Sequence, residues 1–105
     1  MSEGRIFELA QLASKLDKEG GYFLDFLKVR NLEAGIIVLH PNEADTQEPH
    51  SDDEIYYVIK GNAGMEIGER KIQVKEGSII FIPAGTLHRF YGNVVDLVVL
   101  YLFAT

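Results

Sequence analysis

From residue 22 onward, the chain consists of short runs of β-branched and aromatic residues separated by turn residues. Runs of this composition are typical of β-strands. Turn residues such as Gly61-Asn62 and Pro83-Ala84-Gly85 interrupt them. Strands are predicted over residues 22–30, 34–39, 54–60, 64–67, 71–74, 78–82, 88–91 and 94–103. Many short strands with closely spaced turns favour an all-β sandwich or barrel.

The N-terminal residues follow a different pattern. Leu9, Leu12, Ala13 and Leu16 recur at helical spacing within residues 8–18. This predicts at most a short helix or a helical turn, which the glycines at positions 20 and 21 would end. The 105 residues have the length of one ordinary domain. We therefore expect a single domain over residues 1–105, with an N-terminal segment at 1–21 and a barrel at 22–105.

Charge and composition exclude several classes of function. The net charge is −6, so the surface repels phosphate backbones and nucleic acid is not an expected partner. The absence of cysteine excludes disulfides, thiolate metal sites and a cysteine nucleophile. The N-terminus lacks the apolar core of a secretory signal, and the longest apolar stretch, 94–104, is too short to span a membrane. A cytoplasmic location without membrane contact is the expectation.

The last predicted strand is apolar on both faces except for Asp96. A strand that is buried on both faces needs cover on its outer side as well as its inner side. Either the N-terminal segment or a second subunit could supply that cover. A homodimer is therefore an expected assembly.

Two stretches of sequence carry the chemistry, and the first runs from residue 48 to residue 61. Glu48, His50, Asp52 and Glu54 alternate along it, so an extended strand would point all four to one face. An imidazole and carboxylates on one face of a core strand either bind a ligand or leave costly buried charge. The acidic run at Asp52 and Asp53 is interpreted as a solvated turn.

The second stretch runs from residue 77 to residue 93 and returns through a turn to His88. Imidazole nitrogen and carboxylate oxygen together suit Zn²⁺, Mn²⁺, Fe²⁺, Ni²⁺ or Co²⁺. His50, Glu54 and His88 would form a two-histidine-one-carboxylate set with open positions, and Glu48 could be a fourth ligand. His40 lies beside a proline at a strand end and is interpreted as a residue outside the site.

These stretches resemble the paired signature motifs of the cupin superfamily. The first motif runs His-x-His, three or four residues, Glu, six residues, Gly, and the second runs Gly, five residues, Pro-x-Gly-x-x-His. The matching positions are His50, Glu54, Gly61, Gly77, Pro83, Gly85 and His88. Glu48 stands where the first motif has its leading histidine, while Gln47 points away by parity. The second motif continues with three residues and an Asn, and Asn93 comes one residue later than that, with Gly92 in the expected position.

The resemblance implies a small antiparallel jelly-roll β-barrel (a double-stranded β-helix), usually dimeric, with a divalent metal ion near one mouth. It does not select a reaction, because the superfamily includes oxygenases, isomerases, lyases and proteins that only bind ligands. One hypothesis is a metal-dependent enzyme acting on a small organic acid, sugar or aromatic compound. The others are a non-enzymatic metal or small-ligand binding barrel and a barrel without metal.

The enzyme hypothesis predicts the surroundings of the metal. An apolar pocket would be lined by Tyr56, Ile80, Ile82, Phe90 and Leu100. Tyr56 or Glu48 could transfer a proton, although Glu48 could not do so while it binds the metal. The side chains of Tyr57 and Tyr91 are expected to point away from the ligand face.

Overall fold

The computed structural model describes residues 3–46 and 48–105. In this part of the chain one helix precedes eight strands, and each predicted run overlaps one strand. The elements are α1 (Leu9–Glu19), β1 (Phe23–Val29), β2 (Leu32–Leu39), β3 (Glu54–Lys60), β4 (Asn62–Ile67), β5 (Arg70–Lys75), β6 (Ile79–Ile82), β7 (His88–Tyr91) and β8 (Leu97–Ala104). The prediction of an all-β fold with a short N-terminal helix is confirmed.

The strands form two antiparallel sheets. The larger sheet has the order β1-β2-β8-β3-β6 and the smaller one has the order β5-β4-β7. Alternate residues of each sheet point inward and form one apolar cluster, in which Tyr56 and Val99 of the larger sheet join Met65 and Phe90 of the smaller sheet. This arrangement is the predicted jelly-roll barrel.

Helix α1 covers part of the outer face of the larger sheet. Leu16 is buried, and Leu12 faces Ile36 and Leu100 across a groove. The helix ends at Gly20, which adopts a φ of 80° and donates its N–H to the carbonyl of Leu16 at 2.9 Å. The N-terminal segment therefore supplies some of the outer cover that the last strand requires. No helix within residues 3–46 and 48–105 is long and apolar enough to cross a membrane.

Strand β8 begins at Leu97, three residues later than its predicted start at residue 94. The preceding residues form a loop because the buried side chain of Asn93 donates hydrogen bonds to the carbonyls of Leu39 and Val95, each at 2.9 Å. The loop leaves Val94 80% exposed, although its apolar character had predicted a strand.

The loop also carries an ion pair whose strength depends on pH. Nδ1 of His40 lies 2.7 Å from a carboxylate oxygen of Asp96. The hydrogen bond to Asp96 outweighs desolvation and raises the pKa of His40 above 6.5. A raised folded-state pKa means that the stabilisation is present below about pH 6.5 and is lost as the pH rises through the folded-state pKa.

We predict that Asp96→Asn lowers the free energy of unfolding by a few tenths of a kcal/mol at about pH 5.5, because the pair is exposed. The difference from the wild type should decrease as the pH rises through the folded-state pKa of His40, because the imidazole then loses its charge. An NMR titration of His40 should give a lower pKa in Asp96→Asn than in the wild type. Equal values in the two proteins would contradict this prediction, and Glu69→Gln should leave the value unchanged.

Candidate metal centre

Glu54 is the first residue of β3, and its side chain points into the barrel. The strand alternates buried and exposed residues from this position, and only 1% of the Glu54 side chain is exposed. Its neighbours across the sheet are Ile82 and Phe103. A carboxylate among such apolar neighbours is costly to bury unless a cation or a hydrogen-bond donor accompanies it.

His88 enters the same interior from the smaller sheet, as the first residue of β7. Its Nδ1 atom lies 2.8 Å from the backbone carbonyl oxygen of Thr86. A carbonyl oxygen can only accept, so Nδ1 carries the hydrogen of this bond. In the neutral ring Nε2 is then left with a free lone pair, as a metal-binding histidine requires.

The lone pair of His88 faces the carboxylate of Glu54. Nε2 lies 3.1 Å from Oε1 of Glu54, and both side chains are almost completely buried. No hydrogen bond of normal geometry joins the two atoms. Burial lowers the pKa of His88, but Glu54 and the carbonyl of Thr86 outweigh it, so the net pKa is raised. Two electron-rich atoms at this distance need a proton or a metal cation between them.

His50 completes the group from a segment outside both sheets. Its half-buried ring lies 5.6 Å from the ring of His88 and packs edge-on against Phe103 at 4.6 Å. Its backbone carbonyl accepts the N–H of Gly85 at 2.7 Å, which joins the two motifs. Ligand atoms of His50, Glu54 and His88 lie within 4.8 Å of one another. The structure therefore brings together the three residues that the sequence predicts, in a group that could hold a metal ion.

A family profile described as "Cupin domain" matches residues 35–104, which include all three residues. The chain belongs to the cupin family. This match and the two-sheet barrel confirm the resemblance seen in the motifs.

Other proteins resemble this cupin over different lengths. Streptomyces coelicolor protein SCO3923 is 36% identical over 100 residues, which cover 95% of each chain. The acireductone dioxygenase of Danio rerio is 33% identical over 81% of this chain, and this chain spans about half of that dioxygenase's length. The crystal structure of TT1209 from Thermus thermophilus has a TM-score of 0.79 at 23% identity, covers 94% of this chain and 95% of that chain, and shows the fold alone.

In the sequence, alternation along an extended strand places His50 at the site, but the structure positions it differently. Strand β3 of the cupin begins at Glu54, so strand alternation does not orient residues 48–53. Glu48 is exposed and is not one of the three residues whose ligand atoms meet, so a fourth ligand at this position stays a prediction. Gln47 lies outside the described residues. Alternation does orient Glu54, Tyr56 and Val58, which are all buried.

Asp53 accepts two hydrogen bonds that its place in an acidic run of the sequence did not predict. One of its carboxylate oxygens accepts the backbone N–H of Ala84 at 2.9 Å, and its carbonyl accepts the N–H of Ala104 at 3.1 Å. Asp53 is exposed, in agreement with its interpretation as part of a solvated turn, and these two hydrogen bonds are an additional role. Its bond to Ala84 fixes the turn that leads to His88. No local pattern could have indicated a partner 31 residues away.

Asp45 is a second positioning residue that the sequence did not indicate. It is only 7% exposed, and its carboxylate accepts the backbone N–H of Phe90 at 2.9 Å and the hydroxyl of Tyr22 at 3.2 Å. The first bond joins the segment before His50 to β7. A buried carboxylate that accepts two hydrogen bonds has the compensation that burial demands.

A cavity of about 360 Å³ adjoins the candidate metal centre at His50. Its wall contains four carboxylates and four aromatic side chains, none of which the sequence had assigned to the pocket. The carboxylates are Asp25, Glu33, Glu48 and Asp52, and the aromatic residues are Tyr22, Phe23, Tyr101 and Phe103. The cavity is therefore more acidic than the apolar pocket that was expected.

The residues predicted to line a pocket lie elsewhere. Tyr56, Ile80, Ile82 and Phe90 belong to the apolar core. The expectation for Leu100 is wrong, because it lies on the outer face of β8 and contacts the groove beneath α1.

Three tyrosines were also assigned roles or orientations. Tyr56 is completely buried and its ring lies 5.7 Å from that of His88, so its role in proton transfer stays a prediction. Tyr57 is 42% exposed on the outer face of β3, as expected. Tyr91 points away from the ligand residues and packs over Gly64, where an added Cβ atom would overlap its ring.

We predict that Asp53→Ala lowers the free energy of unfolding by about 0.5–1.5 kcal/mol, because the N–H of Ala84 loses its acceptor. Asp53→Asn should recover part of this loss, since an amide oxygen can accept the same bond. Urea denaturation measures both values. The neighbouring Asp52→Ala is the control and should change stability by less than about 0.5 kcal/mol. An equal loss in the alanine variants at 52 and 53 would contradict the assigned role.

Proposed function

We propose that this cupin binds one divalent metal ion through His50, Glu54 and His88 and acts as a metal-dependent enzyme of the oxygenase type on a small molecule. The main support is the buried 3.1 Å approach of Nε2 of His88 to Oε1 of Glu54 without a hydrogen bond. A cation bound by both atoms removes their repulsion and offsets the cost of burying the carboxylate. The dioxygenase name of the Danio rerio relative supports the oxygenase class.

The donor set also bears on the identity of the metal. Two imidazoles and one carboxylate without thiolate suit Zn²⁺, Mn²⁺, Fe²⁺, Ni²⁺ and Co²⁺. We rank Fe²⁺ first because the two-histidine-one-carboxylate set with open positions is typical of non-haem iron oxygenases. When bound, such an ion supplies Lewis acidity and open positions for substrate.

The surrounding residues hold the donors and control access to them. The carbonyl of Thr86 fixes the tautomer of His88, and Phe103 holds the ring of His50 from its edge. The apolar core excludes water from the inner side of Glu54. The cavity beside His50 leaves space for a small substrate on the outer side.

A non-enzymatic metal or small-ligand binding barrel is the second candidate. It is favoured by the replacement of the motif's leading histidine with Glu48, which is exposed and lies outside the ligand cluster. The two candidates share the metal site and differ in turnover. Oxygen consumption by the iron-loaded protein across a panel of small substrates separates them, and Tyr56→Phe tests the phenol for proton transfer.

We predict that tag-free wild-type protein retains about one metal ion per chain by elemental analysis, and that His88→Ala and Glu54→Gln each lose it. His40→Ala is the matched control, because His40 is exposed and pairs with Asp96 outside the cluster. Added metal should raise the melting temperature of the wild type by several degrees and should not raise that of His88→Ala.

Two results would contradict the metal site. One is a metal content near zero in the wild type after reconstitution with each of the five ions. The other is an equal metal content in wild type, His88→Ala and Glu54→Gln. Circular dichroism of each variant shows whether the barrel has folded.

We further propose that two copies of the chain associate through the outer face of β3 and β6. Ile55 pairs with Phe81 and Tyr57 pairs with Ile79 across these strands, and the four side chains are between 41% and 72% exposed. A chain of net charge −6 repels a second copy except at uncharged surfaces, and this patch carries no charge. A self-complementary apolar patch suits a twofold dimer.

We predict that the wild type sediments as a dimer at about 100 µM and that Phe81→Glu sediments as a monomer, because two buried charges would face each other. Analytical ultracentrifugation measures both. Val94→Glu is the control, since it adds the same charge at an exposed apolar position in the loop before β8. A monomeric wild type, or a dimeric Phe81→Glu, would overturn the proposal.

A further inference from the structure

The cavity beside His50 has an acidic wall. Its wall includes the carboxylates of Asp25, Glu33, Glu48 and Asp52, and none of the described residues that line it is a lysine or arginine. Acidic side chains on an open surface are solvated separately, but here they share one concave space. They create a negative potential at the place where a ligand of the metal would lie.

The inner end of this cavity is closely packed around Tyr101. The hydroxyl of Tyr101 donates a hydrogen bond to Asp25. The ring of Tyr101 packs closely over Gly35, where an added Cβ atom would overlap it. Burial, Asp25 and Glu33 all raise the pKa of the Tyr101 phenol, so it stays a neutral donor. Tyr101 therefore supplies no positive charge here, and Lys28, the partner of Glu33 across β1 and β2, is exposed and does not line the cavity.

A metal ion does not balance the charge either. The four cavity carboxylates and Glu54 supply five negative charges when ionised, of which a divalent ion offsets two. A second carboxylate or phosphate brought by a substrate would increase the imbalance. An organic cation would reduce it, and the aromatic side chains in the wall favour contact with both its alkyl part and its charge.

We propose that this cavity binds a small substrate that carries a positively charged amine at one end and an oxygen donor for the metal at the other. The proposal rests on the metal site proposed above and narrows its substrate class, which the sequence left open among acids, sugars and aromatic compounds. The amine lies among the four carboxylates, and the oxygen donor reaches the cluster at His50. The volume of about 360 Å³ suits a molecule of this size.

Three hydroxamates of matched length test the charge preference. β-Alanine hydroxamate carries an ammonium group, butyrohydroxamate is neutral, and succinic monohydroxamate carries a carboxylate, while all three present the same chelating group to a metal. Isothermal titration calorimetry on protein loaded with one equivalent of Zn²⁺ measures their affinities. The ammonium compound should bind about tenfold more tightly than the neutral one, and the carboxylate compound more weakly than both. High salt should reduce the differences.

A double variant, Glu33→Gln with Asp52→Asn, tests whether the cavity is responsible. It should lose most of the preference for the ammonium compound and keep the affinity for the neutral compound. Glu69→Gln is the control for a change of charge on a distant, exposed turn, and it should bind all three compounds like the wild type. An unchanged preference in the double variant would overturn the assignment to this cavity.

The possible failures are distinguishable. Equal affinities for the three hydroxamates, or tighter binding of the carboxylate compound, would overturn the substrate class and leave the metal site intact. Failure of the metal-loaded protein to bind any hydroxamate would overturn the connection between cavity and metal. Failure to retain Zn²⁺ before any hydroxamate is added would overturn the metal site and this inference with it.

Discussion

The buried contact between Glu54 and His88 is the constraint on which the site depends. Each side chain comes from a different sheet, and they meet inside the apolar core at 3.1 Å. A pair of apolar residues would fill this space at lower cost, since the gain from a buried ion pair rarely exceeds its desolvation penalty. The pair therefore makes physical sense as a candidate cation site. The folding free energy of the rest of the barrel offsets the cost of burying these two polar side chains.

A network of hydrogen bonds donated by backbone N–H groups extends this constraint to His50. The histidine lies outside both sheets, so no strand ladder holds it. Its segment is instead joined to the second motif at Gly85, to the turn at Ala84 by Asp53, and to β7 by Asp45. These contacts explain how an irregular segment can hold the candidate ligand His50 beside the two sheets. The geometry of the candidate site is thus fixed by hydrogen bonds between segments that are distant in sequence.

The sequence predicted the strands and the three candidate ligand residues because both leave local signals. Strand alternation and turn glycines recur at short range, and the two motifs have fixed spacing. The contacts of Asp45 and Asp53 leave no such signal, because their partners lie 45 and 31 residues away. The same reason explains the errors at Leu100 and at residues 94–96. Apolar character showed that these residues could be buried, but only the packing of α1 and the bonds of Asn93 decide where they lie.

The fold also distributes the negative charge of the chain unevenly over its surface. In the sequence, a net charge of −6 is adequately explained by solubility. In the fold, four carboxylates share the cavity beside His50, while the outer face of β3 and β6 presents an uncharged patch. A cationic ligand in this cavity would lie beside all four carboxylates. The proposed substrate class gives part of this charge a role in recognition beside the candidate metal site, in addition to its effect on solubility.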